Sequence, residues 1–279
     1  MIIGNKEFDI KNKTYVMGIL NVTPDSFSDG GRWNNVDTAL KHAEKMIQEG
    51  AHIIDVGGES SRPKHSRVDA EEEILRTVPI VEAIKKRFDI PISIDTCKSS
   101  VAQANILAGA DLVNDIWGLK YDMEMAKVIA DSDAVCCLMH NRDNSGSFMH
   151  DHDNTEYNNF MEDVKEDLRE IIQLAKKAGI KDDKIILDPG VGFVKSYEQN
   201  LEVINCLEQF NELGYPVLLG TSRKSVIAQA LNLPVDERVE GTLVTTVMAV
   251  IKGCAFVRVH DIKENVRAIK MAEAILGNR

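Results

Sequence analysis

The chain has 279 residues, 44% hydrophobic and 28% charged, which is globular composition with enough length for a sizeable core. Its net charge of -11 argues against nucleic acid or an anionic membrane as a partner, since either needs a basic face; a small anion held by a few local cations stays open. The five cysteines, Cys97, Cys136, Cys137, Cys206 and Cys254, are odd in number and without C-x-x-C spacing, so they read as reduced, mostly buried thiols. Residues 1–13 show no basic-then-apolar leader pattern, and no apolar stretch reaches about 18 residues. A cytoplasmic protein without a membrane span is the expectation.

Along the chain, short apolar or β-branched runs alternate with longer segments whose apolar residues recur three and four apart. A strand at 15–21 is followed by a loop containing Gly30 and Gly31 and a helix at 36–49. Strand 53–56 precedes helix 70–86, strand 92–95 precedes helix 101–108, and strand 112–114 leads to strand 134–139. A long polar loop, 141–158, then runs into helix 160–177. Strand 185–188 precedes helix 198–209. Strand 217–220 precedes a short helix, 224–231, and a longer one, 243–252. Strand 256–259 and helix 262–276 close the series. Gly50, Gly109 and Gly179 each follow a helical segment, where glycine suits the C-terminal cap. Eight strand–helix units predict a single α/β domain over 1–279, a (β/α)8 TIM barrel of parallel strands; an open doubly wound sheet is the competing layout.

The C-terminal ends of the strands, where such barrels carry their sites, are polar here. They offer Asn21, then Glu59 to Arg62, Asp95 and Thr96, Asn114 and Asp115, His140, Asp188, Ser222 to Lys224, and Arg258 with His260 and Asp261. Helix capping accounts for Asp, Asn, Ser and Thr at such positions. It does not account for Arg62, Lys224 and Arg258, because a cation opposes the dipole at a helix N-terminus. Cations mixed with carboxylates and amides on one rim fit an anionic, hydrogen-bonding ligand. Arg62, Arg258, His260 and Ser61 suit a phosphate or diphosphate. Asp95, Asn114, Asp188 and Lys224 suit the edges of a flat heterocycle.

The strings at these ends are specific. Gly18-Ile19-Leu20-Asn21-Val22-Thr23-Pro24-Asp25-Ser26-Phe27-Ser28-Asp29-Gly30-Gly31 and Ile54-Asp55-Val56-Gly57-Gly58-Glu59-Ser60-Ser61-Arg62-Pro63 resemble the two signatures of dihydropteroate synthases. So do Ile94-Asp95-Thr96, Asn114-Asp115-Ile116-Trp117-Gly118, Met139-His140-Asn141, Leu187-Asp188-Pro189-Gly190-Val191-Gly192-Phe193, Gly220-Thr221-Ser222-Arg223-Lys224-Ser225 and Arg258-Val259-His260-Asp261. The resemblance runs from about Val16 to the C-terminus.

This resemblance implies a homodimeric barrel that condenses hydroxymethyl-dihydropterin diphosphate with p-aminobenzoate, through a dissociative step that leaves a pterin cation. It implies a pterin pocket of Asp95, Asn114, Asp188, Lys224 and Arg258 with apolar walls from Ile116, Met139 and Phe193. The diphosphate falls to Asn21, Ser61, Arg62, Arg258 and His260, and Asn21 would hold Mg2+. Ser222, Phe193 and Pro63 would shape the p-aminobenzoate pocket, which sulfonamides occupy in this family. Asp95, Lys224, Arg62 and Asp29 are the catalytic candidates; Asp29 also reads as a plain turn residue.

Three departures stand out. Ser61 replaces the usual Thr, Lys64 replaces a common Gly, and Val194 precedes Lys195 where the family tends to place a small residue. Three rivals remain at this stage. One is a pterin-dependent methyltransferase on the same barrel, and another is a non-catalytic pterin-binding protein. The third, a metalloenzyme using His140, His150, Asp151 and His152, is weaker because the last three sit in a polar stretch that reads as a solvated loop.

Overall fold

The computed structural model describes residues 1–22, 32–59, 67–143 and 157–277. In chain order the elements are β1 (Ile2–Ile3), β2 (Lys6–Glu7), β3 (Tyr15–Asn21), α1 (Arg32–Glu49), β4 (Ile53–Gly57), α2 (Ala70–Arg87), β5 (Ile92–Asp95), α3 (Ser99–Leu107), β6 (Leu112–Asp115) and α4 (Met125–Ala130). They continue with β7 (Val135–Met139), α5 (Phe160–Ala178), β8 (Ile185–Asp188), α6 (Tyr197–Asn205), β9 (Leu218–Leu219), α7 (Ser225–Leu231), α8 (Val239–Ile251), β10 (Phe256–Val259) and α9 (Ile262–Ile275).

Strands β3 to β10 pair in parallel in the order β8-β7-β6-β5-β4-β3-β10-β9. The ring closes where Leu187 bridges Val217 in parallel and its amide donates to the Pro216 carbonyl at 2.9 Å. Closure excludes the open doubly wound sheet, and helices surround the barrel as the sequence predicts.

Period-two alternation sorts the side chains. Outward residues such as Val16, Leu20, Ile54, Val56, Ile94, Val113, Leu138, Leu187 and Val257 join the helices in one large core. Inward residues divide by height. At the N-terminal end Met17, Ile53, Leu112, Val135, Cys137, Ile186, Leu218 and Phe256 form a separate apolar plug. The β1–β2 hairpin caps it, burying Ile3 and Phe8; the Phe8 ring lies 4.8 Å from Tyr15 and 5.8 Å from Phe256. One step higher the inward positions turn polar, at Asp55, Ser93, Asp95, Asn114, Asp188 and Arg258. The barrel is thus apolar below and charged above.

Several boundaries differ from the sequence reading. The short helix α4 and the N-terminal hairpin were not read from the pattern. Helix α6 stops at Asn205 and continues as 3-10 turns over Leu207–Leu213. Helix α8 begins at Val239 rather than 243, running through Gly241, where a Cβ would stand 2.3 Å from Ile227 of α7; glycine there lets two helices approach closely. Gly179 caps α5 at a φ of 99°. Cys97, Cys136, Cys137 and Cys254 are buried thiols outside any disulfide, and Cys206 is half-buried.

Candidate active site

The parallel register builds the site. Asn21 pairs across to Gly57, Gly57 to Asp95 and Asp95 to Asn114, so these positions lie side by side around one rim. Met139 pairs with Asp188 on the opposite side. Gly57 leaves the rim open: a Cβ placed there would lie 3.5 Å from Asn21 Oδ1 and 3.8 Å from Asp95 Oδ2.

Arg258 reaches the centre from β10. Its Nε donates to Asp55 Oδ2 at 2.6 Å and its Nη2 to Asp95 Oδ2 at 2.5 Å. Asn114 Nδ2 donates to the same Asp55 oxygen at 3.4 Å, while Asp55 Oδ1 has no partner among the described residues. Burial lowers the readiness of Arg258 to stay charged, but Asp55 and Asp95 more than reverse this and hold its pKa above the ordinary arginine value. For Asp95 burial dominates: it pushes the carboxyl up to about 7, against the pull of Arg258 and with a further push from Asp55.

Asp188 and Lys224 face each other across Gly220, where a Cβ would stand 3.6 Å from Asp188 Oδ2 and 3.8 Å from Lys224 Nζ. Asp188 Oδ1 accepts the Gly190 amide at 2.7 Å, and Lys224 Nζ donates to the Val191 carbonyl at 2.6 Å. Among the described residues this leaves one Asp188 oxygen and two Lys224 ammonium protons for a ligand. Burial raises the Asp188 pKa and lowers that of Lys224 to about 8, each opposed by the other's charge. Lys224 Nζ also lies 4.6 Å from the centre of the Phe193 ring.

Beside this pair is a small apolar cluster of Cys97, Ile116, Trp117, Met139 and Phe193, with Tyr121 packed against it. Asp115 is what shapes it. Its two oxygens accept the Trp117 amide at 2.9 Å and the Leu119 amide at 2.7 Å, bending the chain so that Ile116 faces the pocket. The turn-forming role therefore belongs to Asp115 and the ligand-facing role to its neighbour Asn114. On the far side the Ser222 hydroxyl lies 3.0 Å from His260 Nδ1 and accepts the His260 amide at 3.1 Å, so Ser222 orients His260. Arg223 pairs with Asp261 at 2.5 Å and is committed to structure.

The structure brings together Asn21, Asp95, Asn114, Ile116, Met139, Asp188, Phe193, Ser222, Lys224, Arg258 and His260 at the C-terminal ends of the strands. Asp29, Ser61, Arg62 and Pro63, and with them Pro24, Phe27, Lys64, His150, Asp151 and His152, lie outside the described residues. His140 corrects the metal reading. It is wholly buried, with Nε2 2.8 Å from Asp167 and Nδ1 2.8 Å from Lys195, so neither nitrogen is offered to an ion. Sequence reasoning missed Asp55, which occupies an inward position of β4 between Ile53 and Gly57; a carboxylate at an inward step of a buried strand is the signal that finds it.

Carboxylates, an amide and a lysine thus converge beside an apolar cluster at one end of a parallel barrel, an arrangement suited to a polar heterocycle. The comparisons agree. Residues 17–260 match the family model described as pterin binding enzyme. The dihydropteroate synthase of Clostridium beijerinckii is 61% identical over 99% of each chain. Among solved structures, the Clostridium difficile dihydropteroate synthase in the presence of pteroic acid superposes with a TM-score of 0.90 at 50% identity, covering 96% of this chain and 99% of that one. The Yersinia pestis enzyme with a sulfonamide drug complex gives 0.90 at 39%, covering 100% and 99%. The chain belongs to the pterin-binding enzyme family and, within it, to the dihydropteroate synthases. Membership in the dihydropteroate synthases, which are transferases acting on small molecules, sets aside the methyltransferase and non-catalytic readings. Among the described residues no helix is long and apolar enough to cross a membrane.

Proposed function

We propose that the barrel mouth works as one site, over the whole of 1–279, for joining hydroxymethyl-dihydropterin diphosphate to p-aminobenzoate. The observation that carries this reading is the convergence of Asp188, Lys224, Asn114 and Asp95 beside the apolar cluster and above Arg258. Asp188 accepts hydrogen bonds from the pterin's amine and ring N–H. Lys224 donates to its carbonyl and a ring nitrogen. Ile116, Met139 and Phe193 hold the ring faces, and Arg258 spans the ring and the diphosphate with its planar guanidinium. Arg62, Ser61 and His260 take the rest of the diphosphate charge, and Asp29 is a further catalytic candidate.

The reaction breaks the bond between the exocyclic carbon and the diphosphate oxygen, the electron pair leaving with diphosphate. The amine nitrogen of p-aminobenzoate then bonds to that carbon and loses a proton. Ionised Asp95 stabilises the cationic pterin between the two events, so the protein supplies electrostatics rather than a strong base. Ser222, Phe193 and Pro63 shape the p-aminobenzoate subsite, where sulfonamides compete.

Asn21 fits Mg2+. Its carboxamide oxygen and the Asp95 carboxylate are hard donors on one open rim, and among the described residues no three His, Cys, Asp or Glu side chains converge into a dedicated metal cage. Magnesium commonly takes few protein ligands and completes its shell with water and phosphate oxygens. When bound, the ion neutralises charge on the leaving diphosphate.

The charge states set a pH window. Asp95 must be ionised and titrates at about 7 in the free protein; Lys224 must be protonated and loses its proton at about 8. The pH profile of kcat/KM for the pterin diphosphate reports the free enzyme, so it should be a narrow bell that falls on either side of about 7 to 8. In Lys224→Met the alkaline limb should vanish. An alkaline limb that persists unchanged in Lys224→Met assigns it elsewhere.

We further propose a cytoplasmic homodimer. Val244 on α8 and Met271 and Ile275 on the adjoining α9 are 64%, 62% and 72% exposed, an apolar face suited to a second copy. Light scattering should give twice the chain mass, and Val244→Glu with Met271→Glu should give the monomer. A mass unmoved by the double substitution puts the interface on another face.

A further inference from the structure

Behind the pterin slot lies a buried polar relay that the proposed chemistry does not use. Lys195 is 0% exposed, and its ammonium has three acceptors: His140 Nδ1 at 2.8 Å, the Gly190 carbonyl at 3.0 Å and the Phe193 carbonyl at 3.2 Å. Since Lys195 donates to Nδ1, the His140 proton sits on Nε2 and points at Asp167 Oδ2, 2.8 Å away. Arg142 pairs with the same Asp167 oxygen at 2.5 Å. The relay runs from a cation through a neutral imidazole to a carboxylate.

Burying a lysine without a carboxylate in contact is costly, and a Met of similar length would fill the space without that cost. The use made of it is visible in what it binds. Both carbonyls belong to the segment between β8 and α6, which follows Asp188, presents the Val191 carbonyl to Lys224 and carries Phe193 into the slot. That segment is strained. Gly190, Gly192 and Val194 take positive φ values of 72°, 86° and 47°, and the last is a β-branched residue in a conformation such residues avoid. Conformations of this kind persist only where the surroundings enforce them. The downstream end is fixed separately by the Ser196–Gln199 capping box of α6, and the Gly192 amide donates to Asn200 at 2.6 Å.

We propose that Lys195 is a positioning residue for the pterin site: its buried ammonium pins the carbonyls of Gly190 and Phe193 against His140 and so sets the segment that delivers Asp188, Val191 and Phe193 to the ligand. Its charge has a second effect. Together with Lys224 and Arg258 it opposes the burial that raises the Asp188 pKa. Lys195 itself is lowered by burial to about 7, held up by Asp188 and Asp167 and pushed down by Lys224 and Arg142.

The inference rests on Asp188 and Lys224 binding the pterin, so Lys224→Met is the control. Lys195→Met and Asp167→Asn would be assayed for the KM of each substrate, with melting temperatures measured alongside. Lys195→Met should raise the KM for hydroxymethyl-dihydropterin diphosphate about tenfold, as expected when a binding segment is misplaced rather than removed, and that for p-aminobenzoate less, because of Asp188, Val191 and Phe193 only Phe193 also lines that subsite. Asp167→Asn should act in the same direction, about threefold, because the outer end of the relay keeps its hydrogen bond and loses its charge. A folded Lys195→Met with an unchanged pterin KM, or with both KM values raised alike, overturns the proposal. If Lys195→Met does not fold, an unchanged pterin KM in Asp167→Asn overturns it. If Lys224→Met leaves the pterin KM unchanged, the pocket assignment falls and this inference falls with it.

Discussion

Lys224→Met should lower kcat/KM for the pterin diphosphate between about 100- and 1,000-fold, the scale of removing one preorganised donor from a water-poor site. Two losses combine. The ligand's carbonyl and ring nitrogen lose a charged donor. Asp188 loses the cation that, after burial, acts most strongly on its ionisation. Without Lys224 the Asp188 pKa rises further, so part of the population carries a neutral acid that accepts poorly. The melting temperature should change little or rise, because Lys224 is itself lowered by burial to about 8 and its removal relieves a desolvated charge. Steady-state rates with each substrate, and calorimetry on the same sample, check both halves. Loss of activity with equal loss of stability would make Lys224 a structural residue.

The second large effect is one of stability. Arg258→Met should cost about 3–5 kcal/mol, as for a buried pair broken by removing one partner. That corresponds to a fall in Tm of roughly 10 °C for a chain of this size. The orphaned groups are Asp55, whose side chain is 0% exposed, and Asp95, at 11%. The deficit should depend on pH with a definite sign. In the parent protein the Asp95 carboxyl already stands at about 7 against an ordinary 3.8. Removing Arg258 raises it further. A carboxyl whose folded pKa exceeds its unfolded value adds stability at low pH and loses it as pH rises between the two values. The variant's deficit should therefore be small near pH 5 and large near pH 9. Scanning calorimetry at both pH values tests this, and equal deficits would mean that Asp95 does not depend on Arg258 for its charge.

Legibility in the sequence followed burial pattern. The eight barrel strands are buried on both faces, so each reads as an apolar run, and β3, β5, β6 and β8 end at the polar residues Asn21, Asp95, Asp115 and Asp188. Residues such as Asn114, Asp188 and Lys224 could be placed because a strand end fixes where they point. Elements without that pattern were missed. The β1–β2 hairpin has two-residue strands, too short for periodicity, and contributes through Ile3 and Phe8, which pack only against the assembled plug. The six residues of α4 span fewer than two turns. The start of α8 was obscured by Gly241, whose low helix propensity is outweighed by close packing on Ile227. Within the site, Asp55, Lys195 and Asp167 escaped because their roles depend on partners distant in the chain. Asp55 meets Arg258 203 residues away, and Lys195 meets His140 55 residues away.

The division of labour inside the barrel follows from one fact of geometry. Inward positions alternate along every strand, so the lower layer can be wholly apolar while the next layer carries three carboxylates and an arginine. The plug of Met17, Ile53, Leu112 and Phe256 keeps water out from below. Charges above it feel a low dielectric, which strengthens both their attraction for a polar heterocycle and their effects on one another. The shifted states of Asp95, Asp188 and Lys224 express that environment, and perturbed groups of this kind cluster where chemistry is done.

The most direct test is to mix the purified protein with Mg2+, hydroxymethyl-dihydropterin diphosphate and p-aminobenzoate and to follow dihydropteroate by chromatography, with Asp95→Asn alongside. Dihydropteroate should form, together with one diphosphate per product, and Asp95→Asn should lose most of the rate while still binding the pterin. A protein that binds the pterin and forms no dihydropteroate, or an Asp95→Asn variant that turns over like the parent, would contradict the chemistry assigned to this rim.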